Sequence, residues 1–119
     1  MLVSIITATY NSALTLRDCL QSVAKQSYAP IEHIIIDGAS KDATLDIVNA
    51  FPHIAQVHSE KDQGIYDAMN KGILMAHGDV IGFLNSDDRY ADGGVVGSVA
   101  QAMHNERVDF CYGDLLILD

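Results

Sequence analysis

Strand-like and helix-like segments alternate along this chain almost without interruption, and no other feature restricts its fold as much. Residues 3–8 form a short, mostly apolar β-rich run, as expected of a strand covered on both faces. Asn11 and Ser12 supply capping side chains, and Leu16, Leu20 and Val23 then recur at helical spacing until Pro30. Residues 31–36 contain three consecutive isoleucines, the mark of a buried central strand. Ser40 and Asp42 can cap a second helix carrying Leu45, Val48 and Phe51, stopped by Pro52. Residues 54–58 alternate as a shorter third strand, and residues 60–64 form a polar loop. Ile65, Ala68, Met69, Gly72, Ile73 and Ala76 make a helical stripe, with Ile65, Met69, Ile73 and Ala76 expected in the core. Gly78 is expected to end that helix, and residues 80–84 form a fourth strand. A helix with Val95, Val99, Ala102 and Met103 on one face follows, then final strands at 108–112 and 115–118. Such repeated units predict an α/β domain, a mainly parallel sheet with helices on both faces.

The 119 residues suffice for one domain and not for two independent cores. Sixteen acidic against seven basic residues give a net charge of −9, which argues against a nucleic-acid partner needing a basic face. No apolar run approaches the roughly 20 residues that span a bilayer, and residues 1–10 lack the features of a signal peptide. The expected location is the cytoplasm, including the inner face of the membrane. Cys19 and Cys111 have no metal-ligand spacing and are expected as buried thiols; the five histidines are expected as surface or packing residues.

In parallel sheets of this kind ligands bind outside the carboxyl ends of the strands. Three strands end in polar residues there: Thr9, Tyr10 and Asn11; Asp37, Gly38, Ala39 and Ser40; and Asn85, Ser86, Asp87 and Asp88. Two adjacent carboxylates repel each other, and a hard cation such as Mg²⁺ or Mn²⁺ would neutralise them and bridge to a diphosphate. They can equally cap the loop before Tyr90. Asp37 can accept hydrogen bonds from a nucleobase or make a turn into the next helix. Neither glycine-rich phosphate loop is present.

Residues 3–11 (VSIITATYN), 36–44 (IDGASKDAT), 59–72 (SEKDQGIYDAMNKG) and 85–88 (NSDD), in that order and spacing, resemble the family 2 inverting glycosyltransferases of the GT-A fold. The third segment is similar to a subgroup common in bacterial polysaccharide synthesis. The resemblance implies a nucleoside-diphosphate sugar donor, commonly a UDP-sugar, a glycan or lipid-linked acceptor, and a divalent metal, Mn²⁺ or Mg²⁺. It implies that Thr7, Ala8, Thr9 and Tyr10 lie along base and ribose and that Asp37 bonds the base. Asp67, Asn70 and Lys71 would lie near the donor, with Lys71 the only cation close by. Asn85, Ser86 and Asp87 would contact the donor, and Asp87 or Asp88 the metal. Asn85 departs from the pattern, standing where many members carry an aspartate.

In the resembling family the acceptor's base is an acidic residue in the acceptor-binding half, well after the metal motif. It is therefore expected beyond Asp119, and the chain is expected to bind donor and metal yet transfer sugar poorly alone. Self-association through residues 108–118, the edge of an interrupted sheet, is a further expectation. Two other enzyme-like classes fit less well. A receiver domain would carry its acidic pair after the first strand and a lysine after the last; a nucleotidyltransferase would open with a basic, glycine-rich loop. A bare donor-binding module is the non-enzyme alternative.

Overall fold

The computed structural model describes residues 1–106. Eight elements follow in order: β1 (Val3–Thr9), α1 (Leu16–Ala24), β2 (Ile31–Asp37), α2 (Thr44–Asn49), β3 (Ile54–Ser59), α3 (Ile65–Met75), β4 (Val80–Phe83) and α4 (Val95–Glu106). The strands form one sheet in the order β3-β2-β1-β4, and every pair is parallel. This is the order of the first four strands of a doubly wound nucleotide-binding sheet, with its reversal point between β1 and β4. A receiver-like order would place β3 beside β1. The strands expected at 108–112 and 115–118, the edge proposed for self-association, and Cys111 lie outside the described residues.

Side chains alternate across the sheet and divide the core in two. Val3, Ile5 and Ile35 pack with Leu16, Cys19, Leu20 and Val23 of α1, Val48 of α2, and Val96 and Ala100 of α4. Ile6, Ile34 and Ile36 face the other way, onto Ala68 of α3. Three helices therefore cover one face and α3 the other. Cys19 is fully buried, and its thiol is pushed up to about 12, first by burial and further by the nearby Asp88 and Asp87 charges. Cys19 is therefore expected to resist iodoacetamide at neutral pH until denaturant is added, as read by mass mapping of its peptide. Rapid native labelling would contradict this packing.

Several local expectations change in the tertiary structure. The buried stripe of α3 is Ala68 and Gly72, while Ile65 and Ile73 are exposed. The reason is close approach: a Cβ on Gly72 would lie 2.5 Å from Cγ2 of Ile6, so the helix touches the sheet through its smallest residues. On α4 the buried residues are Val96 and Ala100, with Met103 packed beside them, one position from the expected face. Gly78 does not cap α3, whose C-cap is Ala76; instead it passes over β1, where a Cβ would meet Ser4 Oγ at 2.4 Å. Ser40 does not cap α2 either, because its hydroxyl turns back to Asp37. Asp42 accepts the Thr44 N–H at 2.9 Å and so steadies the start of that helix.

Candidate functional site

The parallel register aligns three polar residues at the carboxyl edge: Thr9 beside Asp37, and Asp37 beside Ser59. The backbone continues the alignment, with Gly38 N–H donating to Thr9 O at 2.9 Å and Glu60 N–H to Asp37 O at 3.0 Å. β1 then turns sharply at Asn11, whose φ of 47° lies in the left-handed region that asparagine tolerates. Asn11 N–H donates to Ser40 Oγ, and Asn11 Oδ1 accepts from Lys41 N–H, each at 2.8 Å. Ser12 Oγ lies 3.0 Å from Ser86 Oγ, and Thr15 Oγ1 donates to Ser86 O at 3.0 Å, joining the ends of β1 and β4 across the reversal point.

A cleft of about 700 Å³ opens on this edge. Its β1 side is Ala8, Thr9, Tyr10 and Ser12, and its β2 side Gly38, Ala39 and Lys41. Lys61, Asp62 and Gly64 come from the β3–α3 loop, Ile65 and Ala68 from α3, and Ser86 from the loop after β4. Tyr10 presents an exposed aromatic ring at the mouth, a surface on which a flat base can stack. Ala39 holds φ at 62°, a conformation that costs a non-glycine residue about 1 kcal/mol. Strain of this kind concentrates at ligand sites.

Among the residues expected to contact a donor, Ala8, Thr9, Tyr10 and Ser86 line the cleft. Asp37 does not. Its carboxylate is fully buried and accepts four hydrogen bonds: Thr9 Oγ1 at 2.6 Å, Ser40 Oγ at 2.5 Å, Ser40 N–H at 2.9 Å and Ser59 Oγ at 2.8 Å. Burial alone would raise its pKa, but hydrogen bonds from Ser40, Thr9 and Ser59 outweigh that and hold the carboxyl below its ordinary range. These hydrogen bonds make Asp37 an internal knot that fixes three strand ends. Thr7 also turns inward, its hydroxyl 2.8 Å from Nε2 of the buried His33, whose Nδ1 lies 2.9 Å from His53 Nε2.

Asp67, Asn70 and Lys71 do not line the cleft, because the helical turn that presents Ile65 and Ala68 carries them onto other faces. Lys71 is paired with Glu60 at 2.9 Å and Asp67 at 3.2 Å, and those hydrogen bonds, Glu60 first, raise its pKa. The cations lining the cleft are Lys41 and Lys61, beside the Lys71 that the sequence alone singles out. The signal for Lys61 and Asp62 lies in the charged loop after β3, since the strand-end rule holds for that strand as well. Asn85 is exposed and its carbonyl accepts the Asp88 N–H at 3.0 Å, forming the turn that carries the acidic pair. Neither Asp87 nor Asp88 makes a side-chain hydrogen bond or ion pair among the described residues, and no cluster of three metal-ligating side chains occurs among them. Two free carboxylates still suit Mg²⁺ or Mn²⁺, which commonly take one or two protein carboxylates with the rest of the shell from phosphate and water.

Sheet order, reversal point and cleft define a doubly wound α/β domain of the kind that binds nucleotides at its carboxyl edge. The family model for Glycosyl transferase family 2 matches residues 4–117, and the chain belongs to that family. It is 40% identical over 119 residues to a PGL/p-HBAD biosynthesis glycosyltransferase of Mycobacterium bovis, covering 96% of this chain and 46% of the relative. It is 38% identical over 93 residues to the putative teichuronic acid biosynthesis glycosyltransferase TuaG of Bacillus subtilis, covering 75% and 37%. The chain thus spans about half the length or less of these relatives. Its structure superposes on that of S. aureus TarS 1-349 in complex with UDP-GlcNAc with a TM-score of 0.85 at 27% identity, covering 92% of this chain and 33% of that one. The mannosyltransferase PcManGT of Pyrobaculum calidifontis, solved with GDP-Man and Mn²⁺, shares the fold with a TM-score of 0.79 at 23% identity, covering 85% and 32%. The architecture is the GT-A fold. No helix among the described residues is long and apolar enough to cross a membrane.

Proposed function

We propose that the protein is a glycosyltransferase of glycan synthesis that takes its sugar from a nucleoside diphosphate, UDP above all, and passes it to an acceptor hydroxyl with inversion. The observation that carries this reading is the cleft at the sheet's reversal point, lined by Tyr10 and Ser86, with an acidic pair directly after Ser86 in the same loop. The likeness to TarS, solved with UDP-GlcNAc, supports a UDP-sugar, and the relatives named for PGL/p-HBAD and teichuronic acid biosynthesis support a glycan product. Ala8, Thr9 and Tyr10 flank the nucleoside. Lys41 and Lys61 offset diphosphate charge, and Ser86 sits where the donor passes the β4 end. Asp87 and Asp88 would hold a divalent metal, which when bound supplies a Lewis acid for the departing diphosphate. Asp37, Asp67, Asn70, Lys71 and Thr7 act at one remove, shaping strand ends and the first turns of α3.

The test is calorimetric binding of UDP with and without Mn²⁺. The parent is expected to bind UDP about tenfold more tightly with the metal, about 1.4 kcal/mol. Replacing Asp87 and Asp88 together by alanine is expected to remove that increment and leave metal-free binding in place. Failure of the parent to bind any nucleoside diphosphate would overturn the donor reading. Equal affinity with and without Mn²⁺ would overturn the metal assignment.

A further inference from the structure

Edge strand β3 has no buried residue and, among the described residues, pairs only with β2. One buried side-chain contact ties the two strands where β3 begins. The rings of His33, in β2, and His53, just before β3, have centroids 5.2 Å apart, with His33 Nδ1 2.9 Å from His53 Nε2. On its other side His33 Nε2 lies 2.8 Å from the Thr7 hydroxyl. His33 is fully buried, and His53 Nδ1 is a buried atom with no hydrogen-bond partner among the described residues, edge-on to the Phe51 ring. The β2–β3 register shifts between His33 and Ile34, so the backbone ladder is irregular just where the two rings meet.

A 2.9 Å gap between two ring nitrogens holds a single proton. With both rings neutral, that proton can sit on either nitrogen, and Thr7 donates or accepts to match. An added proton breaks this arrangement. A charged His33 donates through Nδ1, which forces the His53 hydrogen onto Nδ1; a charged His53 carries hydrogens on both nitrogens. Either way an N–H stands on the atom that has no acceptor, and a positive charge is buried. Nothing packed on this face offsets that charge. Cys19 of α1 and Tyr90 are both pushed up to about 12, first by burial, and so stay neutral. Val48 of α2 and Val96 and Ala100 of α4 are apolar. Asp46 of α2 is exposed, and Glu32, beside His33 in sequence, lies on the opposite face and pairs with His77. Burial holds both rings below the ordinary histidine range, His33 at about 3 with a further lowering by His53.

We propose that His33 and His53 form an acid-released latch, which holds β3 to β2 while both rings are neutral and lets the edge strand loosen when they take up a proton. The latch acts on the cleft from a distance. The far end of β3 supplies Ser59 to the Asp37 carboxylate and leads into the loop of Lys61, Asp62 and Gly64 at the cleft. A histidine released from the fold takes up its proton near pH 6.5, and the latched pair does so only at lower pH. Its stabilising effect is therefore complete above about pH 6.5 and is lost progressively as the pH falls from there toward the folded value. This inference does not depend on which ligand the cleft takes.

The experiment is amide hydrogen exchange across residues 54–59 at about pH 7.5 and about pH 5.5, corrected for the intrinsic pH dependence of exchange. It compares the parent with the double variant His33→Gln, His53→Leu. In the parent, protection of β3 should fall about tenfold between the two conditions, the factor for one histidine whose protonation the closed state suppresses. In the double variant the fall should be about twofold or less. The remaining histidines and carboxylates are common to both proteins, so their effects cancel in the comparison. An equal fall in both proteins, or none in the parent, would overturn the latch. A second measurement needs no folded variant: NMR of the parent's imidazole signals through a pH titration. His33 should keep its neutral shift down to about pH 5.5, and His53 should titrate below the ordinary histidine value of about 6.5. Titration of His33 near pH 6.5 in the folded protein would also overturn the proposal.

Discussion

Replacing Asp37 by alanine is expected to lower folding stability by about 3–5 kcal/mol, measured by urea denaturation at neutral pH. The carboxylate is completely buried, and removing it strands four donors, from Thr9, the Ser40 backbone and hydroxyl, and Ser59. Hydrogen bonds to a charged group contribute roughly 1.5–3 kcal/mol each, but the effects overlap, because the freed hydroxyls can rotate toward water or one another. The same knot makes a pH prediction. The folded carboxyl ionises below its unfolded value, so its stabilising effect is complete above about pH 4 and is lost as the pH falls through the lower folded pKa. Asp37→Asn should be destabilised at neutral pH, where two of the four donors face an amide that cannot accept on nitrogen. It should also show a flatter decline in acid. A loss below about 1 kcal/mol for Asp37→Ala would contradict the buried, fourfold-bonded geometry.

Gly72→Val is expected to destabilise by about 3 kcal/mol, against about 1–2 kcal/mol for Gly72→Ala. Two effects oppose each other at this site. Alanine favours a helix over glycine by about 1 kcal/mol, and on an exposed turn that term would win. Here the new Cβ would lie 2.5 Å from Ile6 Cγ2, 3.0 Å from its Cδ1 and 3.1 Å from its Cγ1, and Ile6 is itself buried. The Cγ2 methyl is attached directly to the Ile6 Cβ and cannot swing away like the end of a long side chain, so the whole helix must lift. Overpacking therefore outweighs propensity. Because α3 carries Ile65 and Ala68 into the cleft, Gly72→Val should also weaken UDP binding in whatever fraction remains folded. Pairing it with Ile6→Ala should restore part of the stability, since the two share one space. A stabilising Gly72→Ala would show that the contact relaxes more easily than the geometry implies.

The different fates of the expected site residues have physical causes. Tyr10 and Ser86 were legible because a residue just past the end of a parallel strand must emerge at the carboxyl edge, whatever its neighbours are. The core strands were legible for a similar reason, since residues 34–36 are apolar on both faces and suit a strand covered on both sides. Asp37 stands at the expected strand end, with its carboxylate turned toward neighbouring strand ends. Its side chain falls on the register row shared with Thr9 and Ser59, and both neighbours offer hydroxyls. Lys71 is drawn from the cleft by Glu60, a partner from the loop before its own helix. The α3 stripe had the correct period, but its buried centre is set by where the helix can approach Ile6 most closely.

By itself the sequence determined the order and type of the elements, the parallel sheet, and the edge at which ligand chemistry gathers. Periodicity, apolar runs and turn residues act over a few neighbours and are written along the chain. Only the tertiary structure decided which acidic residue lines the cleft: Asp37 is held inside, while Asp62 crosses from another strand into the space that Gly38 leaves. Those directions depend on strand register and on side chains distant in sequence competing for the same hydrogen bonds, and neither is fixed until the sheet has assembled.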